Sequence, residues 1–357
     1  MYQVLDIKDK DEYIRAFLAF SIELYEGDCY AQSLKDEMAL LTGTHVLSHY
    51  FTIYPYIVID EQNKVVGRCA LTSYEGDEVA YLGFFECIND TICADLLLQT
   101  AKKKAVVLGK TKMIGPVDAS FWIKYRFKSN CFDGTTYFGE PYNKPYYVRL
   151  FEENEFSITK RYYSNEAKRV SKRAFCTPKA KQRYHKFKSD NYEFRIAKKA
   201  DFDVLIDEVY LLLMSLYKEF PIFKPIQKEE YVALFSDLKY AIDYHSSMVV
   251  YKDRKPVGFS ITMPDYEDLL YKQVTLKNKC KLLLRSIHAR RYVVLYIGAK
   301  KGHYGLGMAM TRKIAKSIWI RRSGMIGGLM LENKVTNKYG KGFVDNQYEY
   351  VLMECVL

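Results

Sequence analysis

No run of about eighteen apolar residues occurs in the 357-residue chain, so no segment reads as a membrane-spanning helix. The first ten residues are charged and lack the apolar stretch of a secretory signal. Neither export nor membrane spanning is therefore expected, and a cytoplasmic location follows as the expectation. The eight cysteines are scattered, with no C-x-x-C pair and no histidine at zinc-finger spacing. That excludes a recognisable metal site or disulfide framework and leaves reduced thiols as the expectation. His45, His49, His185, His245 and His288 show no metal-ligand spacing either.

What is present points to two domains, because single cores stop growing somewhat below this length. Lysine and arginine number 54 against 43 acidic residues, a formal net charge of +11. Nucleic acid, an acidic membrane surface and a phosphorylated cofactor all fit that sign. The 32 tyrosines suit walls that are half apolar and half hydrogen-bonding, although genomic base composition is the simpler account.

Along the chain, residues 3–7 read as a strand and 11–25 as a helix with Ile14, Phe17, Leu18 and Ile22 at helical spacing. Residues 32–41 form a second predicted helix, and 56–59 with 65–72 flank a polar hairpin turn. A strand at 79–87, a long helix at 91–108 and a strand at 112–115 halted by Pro116 follow. Residues 118–144 read as loop, 146–153 as helix and 156–163 as strand. Residues 166–190 are rich in lysine and arginine and are expected to be a solvated linker, with a patch for RNA or an acidic surface as the functional alternative. Then the pattern repeats: a strand at 194–197, helices at 201–220 and 228–240, and a hairpin at 248–252 and 256–262. After an insert at 265–291 come a strand, a glycine turn, a helix to 320, a strand at 325–331, a short helix at 334–341 and a final strand at 347–356. Two α/β units, each a mixed central sheet flanked by helices, are expected at 1–165 and 191–357.

The most informative stretch is residues 292–320. Residues 292–297 are continuously apolar, which reads as a buried strand. The basic, glycine-rich turn of Lys300, Lys301, Gly302, His303, Tyr304, Gly305, Leu306 and Gly307 follows. Leu306, Met310, Ile314 and Ile318 then recur every four residues on one side of a helix. Strand, glycine turn and helix present unpaired N–H groups and a positive helix end to an anion, the chemistry of a diphosphate cradle.

This order of elements resembles the GCN5-related N-acetyltransferase (GNAT) superfamily, whose turn reads Q/R-x-x-G-x-G/A and holds the diphosphate of acetyl-CoA. Residues 302–307 match it at both later glycines. Gly302 stands where glutamine or arginine is usual, and Lys300 and Lys301 are expected to supply the charge. Leu331, Glu332 and Asn333, followed by Gly342 and Phe343, are similar to the family's fourth-helix region. In the first half, residues 83–86, Gly115 and Pro116 with Ser120, and residues 141–147 resemble bacterial tandem-domain proteins of the YghO type. The resemblance implies an acyl-CoA-dependent N-acyltransferase taking acetyl-CoA or another acyl-CoA, with a small-molecule or peptide amine as acceptor in the interdomain cleft.

It further implies that Tyr296, Ile297, Gly298, the 300–307 turn, Met308 and Asn333 bind the cofactor, with a backbone N–H near Tyr296 polarising the thioester. Glu332 is the candidate base and Tyr339 the candidate acid, although Tyr339 stands one position nearer Gly342 than the family pattern places it. A surface cap and a packed aromatic are their ordinary alternatives, as exposure is for His303. Trp122 and Tyr125 are expected either to line the acceptor pocket or to pack in the core. Residues 88–95 contain no glycine, and Asp90 and Asp95 oppose an anion, so cofactor binding is expected in the second half alone. Two alternatives stand beside this reading: a Fem-like aminoacyltransferase drawing on aminoacyl-tRNA, and an acyl-CoA-binding protein without catalysis.

Overall fold

Two neighbouring strands of the first half, Val65–Tyr74 and Val79–Cys87, are buried along nearly their whole length rather than at alternate residues. Such strands require cover on both faces of the sheet, and helices provide it. The computed structural model describes all residues except 9, 26–32, 134–135, 268, 270–274 and 335–341. Two compact units result, one of Met1–Arg161 with Glu349–Leu357 and the other of Tyr162–Tyr348.

The first unit runs β1 (Gln3–Asp6), α1 (Asp11–Leu24), α2 (Leu34–Leu41), β2 (Phe51–Ile59), β3 (Val65–Tyr74), β4 (Val79–Cys87), α3 (Thr91–Val107) and β5 (Lys112–Gly115). Short strands β6 (Val117–Asp118), β7 (Lys124–Tyr125) and β8 (Phe127–Lys128) occupy the predicted loop, before α4 (Tyr147–Glu152) and β9 (Ser157–Ala167). Strands β1 to β4 pair antiparallel in sequence order, and β4 pairs β5 in parallel. Ile14, Phe17, Leu18 and Leu40 of α1 and α2 cluster with Ile53 and Ile57, whereas Leu97, Leu98 and Ala101 of α3 cluster with Tyr56 and Val58. Alternate residues of β2 thus enter different cores, as side-chain alternation along a strand demands.

The second unit contains α5 (Lys172–Cys176), α6 (Pro178–Ser189), β10 (Glu193–Ile196), α7 (Phe202–Leu216), α8 (Lys228–Phe235), β11 (Met248–Lys252) and β12 (Lys255–Pro264). Then come α9 (Leu276–Ile287), β13 (Arg291–Ala299), α10 (Leu306–Ile320) and β14 (Gly324–Leu331); β15 (Asn346–Val356) follows and from Glu349 onward belongs to the first unit. Strands β10 to β13 repeat the antiparallel series of β1 to β4, and β13 pairs β14 in parallel, as β4 pairs β5. The repeat legible in the sequence is therefore present strand for strand as far as β5 and β14.

The closing strands are exchanged. Residues 162–167 of β9 pair β14 in the second unit, and β15 pairs β5 in the first, with Met353 opposite Gly115. Each was expected in the half that precedes it in sequence. The stretch 166–190 also differs from a solvated linker: it forms α5 and α6, and Val170, Phe175 and Phe187 are buried in a core with Leu306, Met310 and Ile314 of α10. Its charged residues alternate with these apolar anchors at helical spacing, so a basic composition concealed an amphipathic pair of helices.

The exchange makes the first unit depend on the end of the chain. Tyr350, Val351, Leu352 and Met353 are all buried there, and Tyr350 donates to Glu140 at 2.6 Å. A chain ending at Tyr348 is expected to lose amide-exchange protection across β3 and β4, and Met353→Ala to cost about 2–5 kcal/mol. Full protection of those strands in the shortened chain would show that β15 is dispensable.

Candidate functional site

Strands β13 and β14 run side by side from Arg291 opposite Gly324 to Val294 opposite Gly327, where their ladder ends. Beyond that pair both strands pass from largely buried to half-buried positions, 295–299 on one side and 327–331 on the other. A register shift in the pairing with β12 falls between Ile261 and Thr262, so β13 is bent where it leaves β14. Tyr296, Ile297 and Gly298 lie on this diverging stretch. Gly298 is packed so closely that a Cβ would stand 2.7 Å from Leu216 Cδ1.

The turn after β13 is two successive reversals. His303 N–H donates to the Lys300 carbonyl and Leu306 N–H to the His303 carbonyl. Gly302 and Gly305 occupy the third position of these turns, each at φ +94°, and Gly305 has ψ −6°. That geometry belongs to a type II turn, whose third residue must be left-handed, so the spacing of the two glycines is dictated by the backbone. Gly305 is also the N-cap of α10 and has no side chain with which to cap it. The N–H groups of Gly302, Tyr304, Gly305, Gly307 and Met308 meet no acceptor among the described residues. They give the start of α10 a set of open donors at the positive end of a helix dipole.

Arg183 of α6 lies over this turn. A Cβ placed on Gly305 would approach its Cδ and Nη1 at 3.3 Å, and Nη1 is 3.7 Å from Met308 Sδ. No carboxylate pairs with Arg183 among the described residues. By contrast, Lys301 is drawn to Glu219 at 2.9 Å. His303 shares a 2.7 Å hydrogen bond with Tyr192; burial, then Lys300 and Lys252, hold its imidazole below the ordinary histidine pKa. Lys313 on α10 is likewise pushed down by burial, with Lys188 and Lys316 adding to it. In both, burial is the leading cause and neighbouring cations add to it.

No known protein-family model matches the chain, and no curated protein sequence matches it. Solved structures do. A tandem GNAT protein from the clavulanic acid biosynthesis pathway, determined without acetyl-CoA, superposes with a TM-score of 0.52 at 11% identity over 100% of this chain and 98% of its own. A GCN5-related glucosamine N-acetyltransferase region in a fungal multi-domain β-N-acetylglucosaminidase gives 0.53 at 13% identity, over 99% of this chain and 38% of that longer one. The chain has the tandem GNAT fold.

Within the first GNAT unit the positions equivalent to the cradle are closed by the protein's own groups. Asp90 is the N-cap of α3 and accepts from Cys93 N–H at 2.9 Å, so a carboxylate already sits where α10 presents open donors. Where β4 and β5 part, β6 fills the gap: Phe84 N–H donates to Asp118 Oδ1 at 2.5 Å. A Cβ on Gly83 would collide with the Val117 carbonyl oxygen at 2.0 Å. A small polar cavity remains beside Glu86, with about 10 Å³ of space, enough for one water. Burial raises the Glu86 pKa, against the opposing pull of Lys124, Arg68 and hydrogen bonds from Tyr147 and Tyr25.

The other candidates are dispersed. Glu332 is exposed at the end of β14, with Tyr163 Oη 3.5 Å from its Oε1. Asn333 is exposed with φ +64°. Tyr339 lies outside the described residues. Trp122 and Tyr125 are 8% and 7% exposed and pack on Phe121. Among the described residues no group of His, Cys, Asp and Glu is arranged to hold a metal ion. Arg183 escaped the sequence reading, for it precedes the GNAT turn by more than a hundred residues within a stretch taken for linker; its only signal was a place among basic residues spaced to leave an apolar helical face.

For His303 the folded state resists protonation while the unfolded chain does not. Its contribution to stability is therefore lost as pH falls through the ordinary histidine range. NMR titration should find the imidazole below that range, with Lys300→Ala moving it back up; an unchanged value in the variant would remove Lys300 as a cause.

Proposed function

We propose that the second unit binds an acyl-CoA and passes its acyl group to an amine. What carries the reading is the start of α10: two left-handed glycines, open backbone donors and Arg183 set above them, beside strands that part at Val294 and Gly327. The fit to a diphosphate is direct. A Cβ at Gly302 would meet nothing within 4 Å, so the turn is open there, while the Arg183 guanidinium lies beside Gly305. Arg183 takes the part of the side chain that Gly302 lacks, with the planar fork that suits paired phosphate oxygens better than a lysine.

Acyl-CoA supplies an activated thioester; the protein's own residues supply position and proton handling. The turn's N–H groups and Arg183 fix the diphosphate. The 295–299 stretch of β13 directs the pantetheine arm along the parted strands and offers backbone donors to the thioester carbonyl. Glu332, on the strand beside it, takes the proton from the acceptor amine, and Tyr339 returns one to the departing thiolate. In the first unit Asp90 and Asp118 hold the equivalent donors, which supports a single acyl-CoA site per chain. The sequence-based case for tRNA leaned on a free basic linker, and α5 and α6 are packed helices.

Calorimetry with acetyl-CoA and longer acyl-CoAs should give one site per chain. Gly305→Val should abolish binding with the circular dichroism spectrum retained. Arg183→Met should weaken it about tenfold, ~1.4 kcal/mol, whereas Lys301→Ala should change little because the side chain is exposed and paired. With a reactive amine, Glu332→Gln and Tyr339→Phe should each lower kcat by about 10²-fold or more. Absence of binding by every acyl-CoA tried would sink the proposal.

A further inference from the structure

Helix α9 is an insertion. In the first unit β3 reaches β4 through residues 75–78, whereas in the second β12 reaches β13 through residues 265–290, which include α9. The helix has a defined start, since Thr275 accepts from Asn278 N–H at 3.2 Å. None of its residues is buried. Leu276, Leu283, Leu284 and Ile287 are 80%, 62%, 66% and 70% exposed. At about 100° per residue these four, with exposed Cys280, fall in one arc of roughly 100°. Lys277 and Lys279 stand at the two edges of that arc.

The opposite side is the attached one. Arg285 points away from the arc and pairs with Glu267 at 3.0 Å, and Leu282 beside it is half-buried. The helix is thus fastened by its back with its leucines outward. Residues 275–291 contain no aspartate or glutamate, and Lys277, Lys279 and Lys281 have no ion-pair partner among the described residues. A narrow apolar arc edged by lysines matches the boundary between lipid headgroups and acyl chains. No helix among the described residues is long and apolar enough to cross a membrane, so the attachment is to a surface.

We propose that α9 docks the protein on an anionic lipid bilayer. It lies in the plane of the surface, with Leu276, Leu283, Leu284 and Ile287 in the acyl region and Lys277, Lys279 and Lys281 among the phosphates. This inference is independent of acyl-CoA binding. The test is co-sedimentation of the full chain with vesicles of phosphatidylcholine containing roughly one third phosphatidylglycerol, against pure phosphatidylcholine. Binding is expected to the anionic vesicles and to fall steeply with salt. Leu283→Ser with Ile287→Ser should reduce it at least about tenfold, and neutralising one lysine about fivefold. Because the substituted side chains are exposed, the variants should keep the wild-type circular dichroism spectrum. Failure to bind anionic vesicles, or equal binding by the serine variant, overturns the proposal. So does concentration-dependent self-association that the serine substitutions abolish, which would assign the arc to a second copy of the chain.

Discussion

A helix that begins on a glycine leaves its first donors open, and the second unit is built around that constraint. Gly305 caps α10 in the left-handed conformation with no oxygen to offer, so the electrostatics of the helix end are left for another group to satisfy. The helix is secured elsewhere: Leu306, Met310, Ile314 and Ile318 are buried at spacing four against α5, α6 and the sheet. Burial along one face substitutes for a cap, since helices in proteins draw most of their stability from packing. The open end is thereby affordable without local hydrogen bonds.

The first unit solves the same geometry in the opposite way. It shares the antiparallel series, the parallel pair that parts after a few residues and the helix that follows the fourth strand. Yet Asp90 caps that helix, and Asp118 takes the Phe84 N–H in the gap. A carboxylate bonded to a helix end is worth about as much as an external anion there, and it is always present. One unit is therefore closed by its own carboxylates, and the other keeps open donors at the start of α10.

The sequence made local features legible because local physics fixes them. The central strands showed in largely apolar runs, and α10 showed in the spacing of Leu306, Met310, Ile314 and Ile318. The two turns showed in glycines three apart. What was hidden depends on partners distant in the chain. The exchange of β9 and β15 is a matter of pairing between remote segments, which no local pattern in either strand specifies. Residues 166–190 read as linker because lysine and arginine dominate the composition, although Val170, Phe175 and Phe187 carry the packing. Trp122 and Tyr125 carried a packing and a pocket reading alike; both are buried beside Phe121, and Tyr125 also lines the cavity beside Glu86.

Arg183 joins the turn to the packing of α6 on α10. Its position over Gly305 is possible only because α6 packs on α10, and α6 packs there through Phe187 and its neighbours. The turn therefore receives its guanidinium from tertiary structure instead of from its own sequence, which relaxes the demand for a long side chain at residue 302. With glycine there, the left-handed backbone comes without strain, and the charge it cannot carry is set by a separate helix. In this chain the left-handed backbone belongs to Gly302 and Gly305, and the guanidinium over the turn belongs to a separate helix.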